Sequence, residues 1–108
     1  MAIIRGTTPT LTFHVKNEQL DLNEIAEIWI TFKTKAGVKV KEQTYTSEDV
    51  VIDAEKHDIE LILSQEDTLD FSDTNMVVQL RVRMNDDMAF ASSIIDIDIG
   101  HILKEGVI

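Results

Sequence analysis

Apolar and polar residues alternate with a period of two along most of this chain, the mark of half-buried β-strands. In "TLTFHVK", Leu11, Phe13 and Val15 fall on one side, with Thr10, Thr12 and His14 on the other. "EIWITFK" sets Ile28, Ile30 and Phe32 opposite Trp29 and Thr31, and "VKVKEQTY" alternates Val38 and Val40 with Lys39 and Lys41. The short polar stretch "TKAGV" between them contains Gly37 and predicts a hairpin. "DVVID" and "HDIELIL" follow as two strands separated by the charged turn "DAEKHD", with Ile59, Leu61 and Leu63 sharing a face. "VVQLRVRM" aligns Val78, Leu80, Val82 and Met84 against Gln79, Arg81 and Arg83. "NDDM" (Asn85 to Met88) then turns the chain into one long last strand from Met88 to about Ile99. Seven strands separated by turn signals predict an all-β, antiparallel, two-sheet sandwich.

Two segments interrupt the alternation. "LDLNEIAEI" (Leu20 to Ile28) has room for one helical turn, and "SQEDTLDF" (Ser64 to Phe71) opens on a favoured N-cap residue with acids in its first turn. Both are too short to be more than connectors, so one short connecting helix is expected. A length of 108 residues suits one domain, and no repeat or heptad pattern divides it, so residues 1–108 are read as a single domain.

Charge and composition narrow the partners. Ten basic against twenty acidic residues leave a formal net charge of -10, which repels a phosphate backbone. The basic cluster Lys33, Lys35, Lys39 and Lys41 is interleaved with Thr and Val rather than with aromatics, so nucleic acid is not an expected partner. The chain has no cysteine, which removes disulfide and thiolate chemistry. Its opening residues meet Arg5 before any apolar signal core forms, and no stretch approaches the 20 or so apolar residues that span a bilayer. A protein without a signal peptide and without a membrane partner is expected.

Candidate chemistry is sparse. Asp96 and Asp98, two apart in "SIIDIDIG", share a strand face about 6.6 Å apart and so are candidates for holding Ca²⁺ or Mg²⁺. Their alternates Ile95, Ile97 and Ile99, continued upstream by Ala89, Ala91 and Ser93, form a clean inward row. The aspartates then read as the solvated side of a half-buried strand, and no metal is expected. Glu66, Asp67, Asp70 and Asp73 surround the short helix and suit its positive end, with a cation site or an acid/base pair as the functional alternative. His14, His57 and His101 have no second His or Cys at ligand spacing. Ser64, Ser92 and Ser93 lack a G-x-S-x-G setting, and no phosphate-binding glycine loop is present. No catalytic residue and no cofactor are expected. Trp29 points away from Ile28, Ile30 and Phe32, so it is either covered by a connector or an exposed interface aromatic. Met88 and Phe90 fall on the face of Asp96 and Asp98 in this reading. Together with Trp29 they are the interface candidates.

"IIRGTTPTLTFHV", "DLNEIAEIWITFK", "LSQEDTLDF", "VVQLRVR" and "AFASSIIDIDIGHILKEGVI", in that order, resemble small tail- and baseplate-associated proteins of phages and prophages of Gram-positive bacteria. They are most similar to the immunoglobulin-like domain that opens upper baseplate proteins, and the similarity covers most of the chain. The resemblance implies an immunoglobulin-like seven-stranded sandwich that works as a non-catalytic structural or assembly component. Its partners would be itself, as a homo-oligomer, or other tail-baseplate proteins, in the virion or in the bacterial cytoplasm during assembly. "EDT" at Glu66, Asp67 and Thr68 also resembles the corner before the sixth strand of antibody variable domains. The chain lacks the Cys pair of those domains, and Tyr45 lies too early in sequence to be a corner tyrosine. Upper baseplate proteins carry further segments, whereas this chain stops at Val107-Ile108, so assembly rather than host recognition is the expectation. A ligand-binding sandwich for cell-surface carbohydrate or Ca²⁺ is the alternative.

Overall fold

The computed structural model describes residues 2–17, 19–35, 41–71 and 75–108. Nine strands form two layers. They are β1 (Ala2–Ile4), β2 (Thr10–His14), β3 (Ile25–Thr34), β4 (Glu42–Thr46), β5 (Val50–Asp53), β6 (Asp58–Ile62), β7 (Met76–Met84), β8 (Ala89–Ala91) and β9 (Ile95–Gly100). The larger sheet runs β1-β9-β7-β3-β4, with β8 also on β7, and the smaller runs β2-β6-β5. In chain order, β2, β6 and β5 take the B, E and D positions of an immunoglobulin sandwich, and β9, β7, β3 and β4 take G, F, C and C′. The all-β sandwich expected from the alternation is therefore the fold. It departs from that expectation at β1, an additional strand that pairs with β9 in parallel, and in the last strand, which is broken in two.

The core is built from the alternate residues that the sequence marks. Ile28, Ile30 and Phe32 of β3 are fully buried, as are Val78 of β7, Ile97 of β9, and Ile59 and Leu61 of β6. Burial of this apolar surface between the layers is the main driving force for the fold. Phe32 sits at its centre, edge-on to Tyr45 at 5.7 Å between ring centroids and tilted against Phe71 at 5.3 Å. "VKVKEQTY" contributes β4 from Glu42 onward; its Val38, Lys39 and Val40, and the turn residue Gly37, lie outside the described residues.

Each passage between sheets is fastened locally. At Arg5-Gly6 the chain leaves β1 for the second sheet. Gly6 adopts φ +76, and a Cβ there would meet Ile102 and Leu69 at 3.2 Å, so both backbone and space call for glycine. A 3₁₀ turn over Leu22–Glu24 is capped by Asp21, whose side chain accepts from the Asn23 amide, and it leads into β3. A second 3₁₀ turn, Ser47–Asp49, carries β4 across to β5, with the Thr46 amide donating to Asp49. The helix α1 (Gln65–Leu69) is capped by Ser64, whose hydroxyl accepts from the Asp67 amide. Thr68 in α1 is fully buried and donates to the Thr7 carbonyl at 2.8 Å, tying this corner to the crossing from β1.

The last strand is the principal correction. Residues 88–99 do not form one continuous strand. β8 and β9 lie along the same edge of β7, but Arg81 pairs with Ala91 and Val82 with Phe90, whereas Val77 pairs with Asp96 and Val78 with Ile95. The register shifts by one residue between the two pieces, so residues 92–94 form a β-bulge. Ser92 holds it together. Its amide donates to the Leu80 carbonyl, and its hydroxyl accepts from the Leu80 amide at 3.0 Å, standing in for a ladder carbonyl. A one-residue shift exchanges the faces of everything before it. Ala89 and Ala91 therefore lie outward beside Arg83 and Arg81, and Phe90 turns inward beside Val82.

Candidate interaction surface

Strand register lays out the outer face of the larger sheet in rows. Lys33 of β3 lies beside Val77 of β7 and Glu42 of β4, and Val77 lies beside Asp96 of β9. In the next row Thr31 stands between Gln79 and Thr44, and in the third Trp29 stands between Arg81 and Thr46. Glu27 and Arg83 begin a fourth. Trp29 is 48 % exposed, so it belongs to the surface, and among the described residues no connector covers it. The Arg81 guanidinium rests 5.6 Å from its ring centroid, a cation–π contact that orders both side chains. Ile94, lifted outward by the bulge, is 65 % exposed and lines a trough of about 430 Å³ with Trp29, Thr31, Gln79 and Arg81.

Charges on this face are held to different degrees. Glu27 accepts from the Ser47 hydroxyl at 2.7 Å and from the amides of Ser47 and Ile28, and these bonds hold its carboxyl below the usual carboxylate range. Lys35 pairs with Asp96 at 3.1 Å and Arg83 with Asp87 at 3.4 Å, all four side chains being more than half exposed. Among the described residues, no carboxylate lies within salt-bridge distance of Arg81 or Lys33.

Met88 and Phe90 do not join that face. The bulge separates them from Asp96 and Asp98, and they lie at the β7–β8 end of the sandwich. There they line a cleft of about 480 Å³ with Met84 and Leu20, rimmed by Asp21, Glu24 and Asp86. Both remain exposed, so the three interface candidates fall on two separate surfaces.

The other candidates are dispersed. Asp96 and Asp98 are exposed on the outer side of β9, and a cation between them would also meet the Lys35 ammonium. Among the described residues, no three His, Cys, Asp or Glu side chains converge as a metal site. Asp67 is occupied as the acceptor of the Tyr45 hydroxyl at 2.7 Å, and Asp70 meets Lys41 at 3.5 Å; Asp73 lies outside the described residues. His14 Nδ1 contacts Asp58 at 2.8 Å on the outer face of the smaller sheet. His57 occupies the turn before β6 with φ +56, and His101 follows β9. The Lys cluster does not gather: Lys33 and Lys35 lie near the outer face of β3, Lys41 reaches Asp70, and Lys39 lies outside the described residues.

Tyr45 corrects the sequence reading of the corner. Although it belongs to β4, its hydroxyl reaches α1, so the corner helix is pinned by a tyrosine from another strand. Burial first, and then the Asp67 carboxylate, push the hydroxyl's pKa above the usual phenol value.

No known family model matches the chain, and a search of curated proteins returns no match.

Proposed function

We propose that this protein is a non-catalytic assembly component of a phage or prophage tail or baseplate, acting through protein–protein contacts. The observation that carries the reading is the outer face of the larger sheet. Tryptophan and arginine are both enriched among the residues that dominate protein interfaces, and here an exposed tryptophan is ordered by an arginine. Small or uncharged neighbours surround it: Thr31, Thr44, Gln79, Ala89, Ala91 and Ile94. The tail-baseplate assignment draws its support from the sequence resemblance, and the sandwich topology agrees with the domain type that resemblance implies.

A carbohydrate role would use the same trough, with Trp29 as the stacking platform. Arg81 already lies over that ring, so a sugar would have to displace it, whereas a protein surface packs against the pair as it stands. Protein contact is the reading the geometry favours. Affinity-tagged chain produced during induction of a lysogen tests it. Isolated tail structures should contain the chain, and Trp29→Ser should remove it from them while leaving its melting temperature nearly unchanged. Tails assembled without the chain, or retaining the Trp29→Ser variant at full occupancy, would overturn the proposal.

A further inference from the structure

The charges on the Trp29 face are distributed unlike those on the rest of the molecule. Lys33, Lys35, Arg81 and Arg83 are matched there by Glu27, Glu42, Asp96 and Asp98. Four basic residues thus face four acidic ones, or five with Asp87 beside Arg83, so nearly all of the formal excess of -10 falls on the remainder of the chain. Two copies of so acidic a protein repel one another across most approaches. This face is where that repulsion is weakest.

Its pattern is also self-complementary. Consider a twofold axis lying in the contact plane, perpendicular to the strands and crossing the Thr31–Gln79 row. The operation lays β3 on β3 and β7 on β7 while exchanging the rows on either side. Lys33 of one copy then meets Trp29 of the other. Asp96, which occupies the Lys33–Val77 row, comes over Ala91 in the Trp29–Arg81 row of the other copy, and that small side chain leaves it room beside Arg81. In the outermost rows Lys35 approaches Glu27. The two basic groups of this face that lack a carboxylate within salt-bridge distance among the described residues, Arg81 and Lys33, thereby gain an acidic or aromatic partner. The exposed Lys35–Asp96 pair exchanges partners at small cost, since exposed ion pairs contribute little. A rotation of about 30° between packed sheets displaces the outer rows by distances that Lys and Arg side chains span.

The area suffices. The 36 strand residues of the sheet, spaced about 4.8 Å across and 3.4 Å along the strands, give a face of about 590 Å², or about 1,200 Å² over two copies, which clears the roughly 1,000 Å² that a specific interface needs.

We propose that the outer face of the larger sheet pairs with the same face of a second copy, forming a twofold dimer about the Thr31–Gln79 row. This rests on the protein-contact reading above and names one partner for it. Sedimentation velocity of the purified chain over a concentration series tests it with three variants: Arg81→Glu, Asp96→Lys, and the two combined. Wild type should dimerise. Each single reversal places like charges together and should weaken the dimer at least about tenfold. The double variant should recover it, since the opposed pair is restored with its signs exchanged. Melting curves confirm that each variant is folded, and should either single variant fail to fold, the other still supplies the comparison. A wild type that stays monomeric throughout, or a dimer indifferent to both reversals, overturns the pairing. If wild type is monomeric yet enters tail structures in a Trp29-dependent way, self-pairing fails while the assembly reading stands.

Discussion

Tyr45→Phe isolates a bond that connects strand β4 to the corner helix. The ring keeps its edge contact with Phe32 and its burial, and only the hydroxyl donated to Asp67 at 2.7 Å is lost. A hydrogen bond to a charged group contributes about 1.5–3 kcal/mol. Asp67 is only partly buried and water can take the vacated place, which puts the cost near the lower end, about 1.5 kcal/mol. An unfolding entropy of about 2.1 cal/mol/K per residue gives about 0.23 kcal/mol/K for this chain, so the melting temperature should fall by about 6–7 °C. The pH dependence supplies a sharper signature. The folded-state pKa lies above the unfolded value of about 10, so the bond's contribution is complete below pH 10 and is lost as the pH rises past it, because the unfolded chain then releases the proton. At about 1.4 kcal/mol per pH unit, the gap between wild type and Tyr45→Phe should close near pH 11. Tyr45 is the sole tyrosine, so phenolate absorbance reports on this group alone. Thermal melts of both proteins from pH 8 to 11 provide the assay. A Phe variant that melts within a degree of wild type at pH 8, or a gap that persists unchanged to pH 11, would refute the reasoning.

Other substitutions examine the bulge, the corner and the chain reversal. Ser92→Ala leaves the Leu80 amide without its hydroxyl acceptor and should cost about 1–2 kcal/mol in urea denaturation, with faster hydrogen exchange at Leu80. Thr68→Val replaces a fully buried hydroxyl with a methyl group and leaves the Thr7 carbonyl short of a donor, so a loss of about 1–2 kcal/mol is expected by the same method. Gly6→Ala combines a positive φ with contacts at 3.2 Å from Leu69 and Ile102. It should lower the melting temperature by several degrees, from a cost of about 1–2 kcal/mol.

Much of the sandwich was legible because alternation reports burial directly. The buried rows of β2, β3, β6 and β7 are the ones read from sequence, and Ser64 caps the helix it was expected to cap. The failures share a cause: each depends on a contact distant in sequence. Ala89 and Ala91 fit either face of a strand, and "ASS" contains no glycine to announce a bulge, so nothing local reveals that the register shifts before Ile95. β1 has three residues, too few to show a period, and its partner lies at the other end of the chain. Tyr45 reaches Asp67 across 22 positions, which no corner motif encodes. Alternation placed Trp29 opposite the core, but whether it was covered depended on where the connectors ran. Among the described residues none crosses it, and Trp29 stays half exposed beside Arg81.

Trp29 is also the sole tryptophan, so its emission reports on the proposed contact face without labelling. Acrylamide quenching of that emission, followed together with light scattering as the chain associates with itself or with tail structures, addresses the contact surface most directly. The account predicts that emission shifts to the blue and quenching falls in proportion to the associated fraction. Association that leaves Trp29 as quenchable as in the free chain would place the contact elsewhere and contradict it.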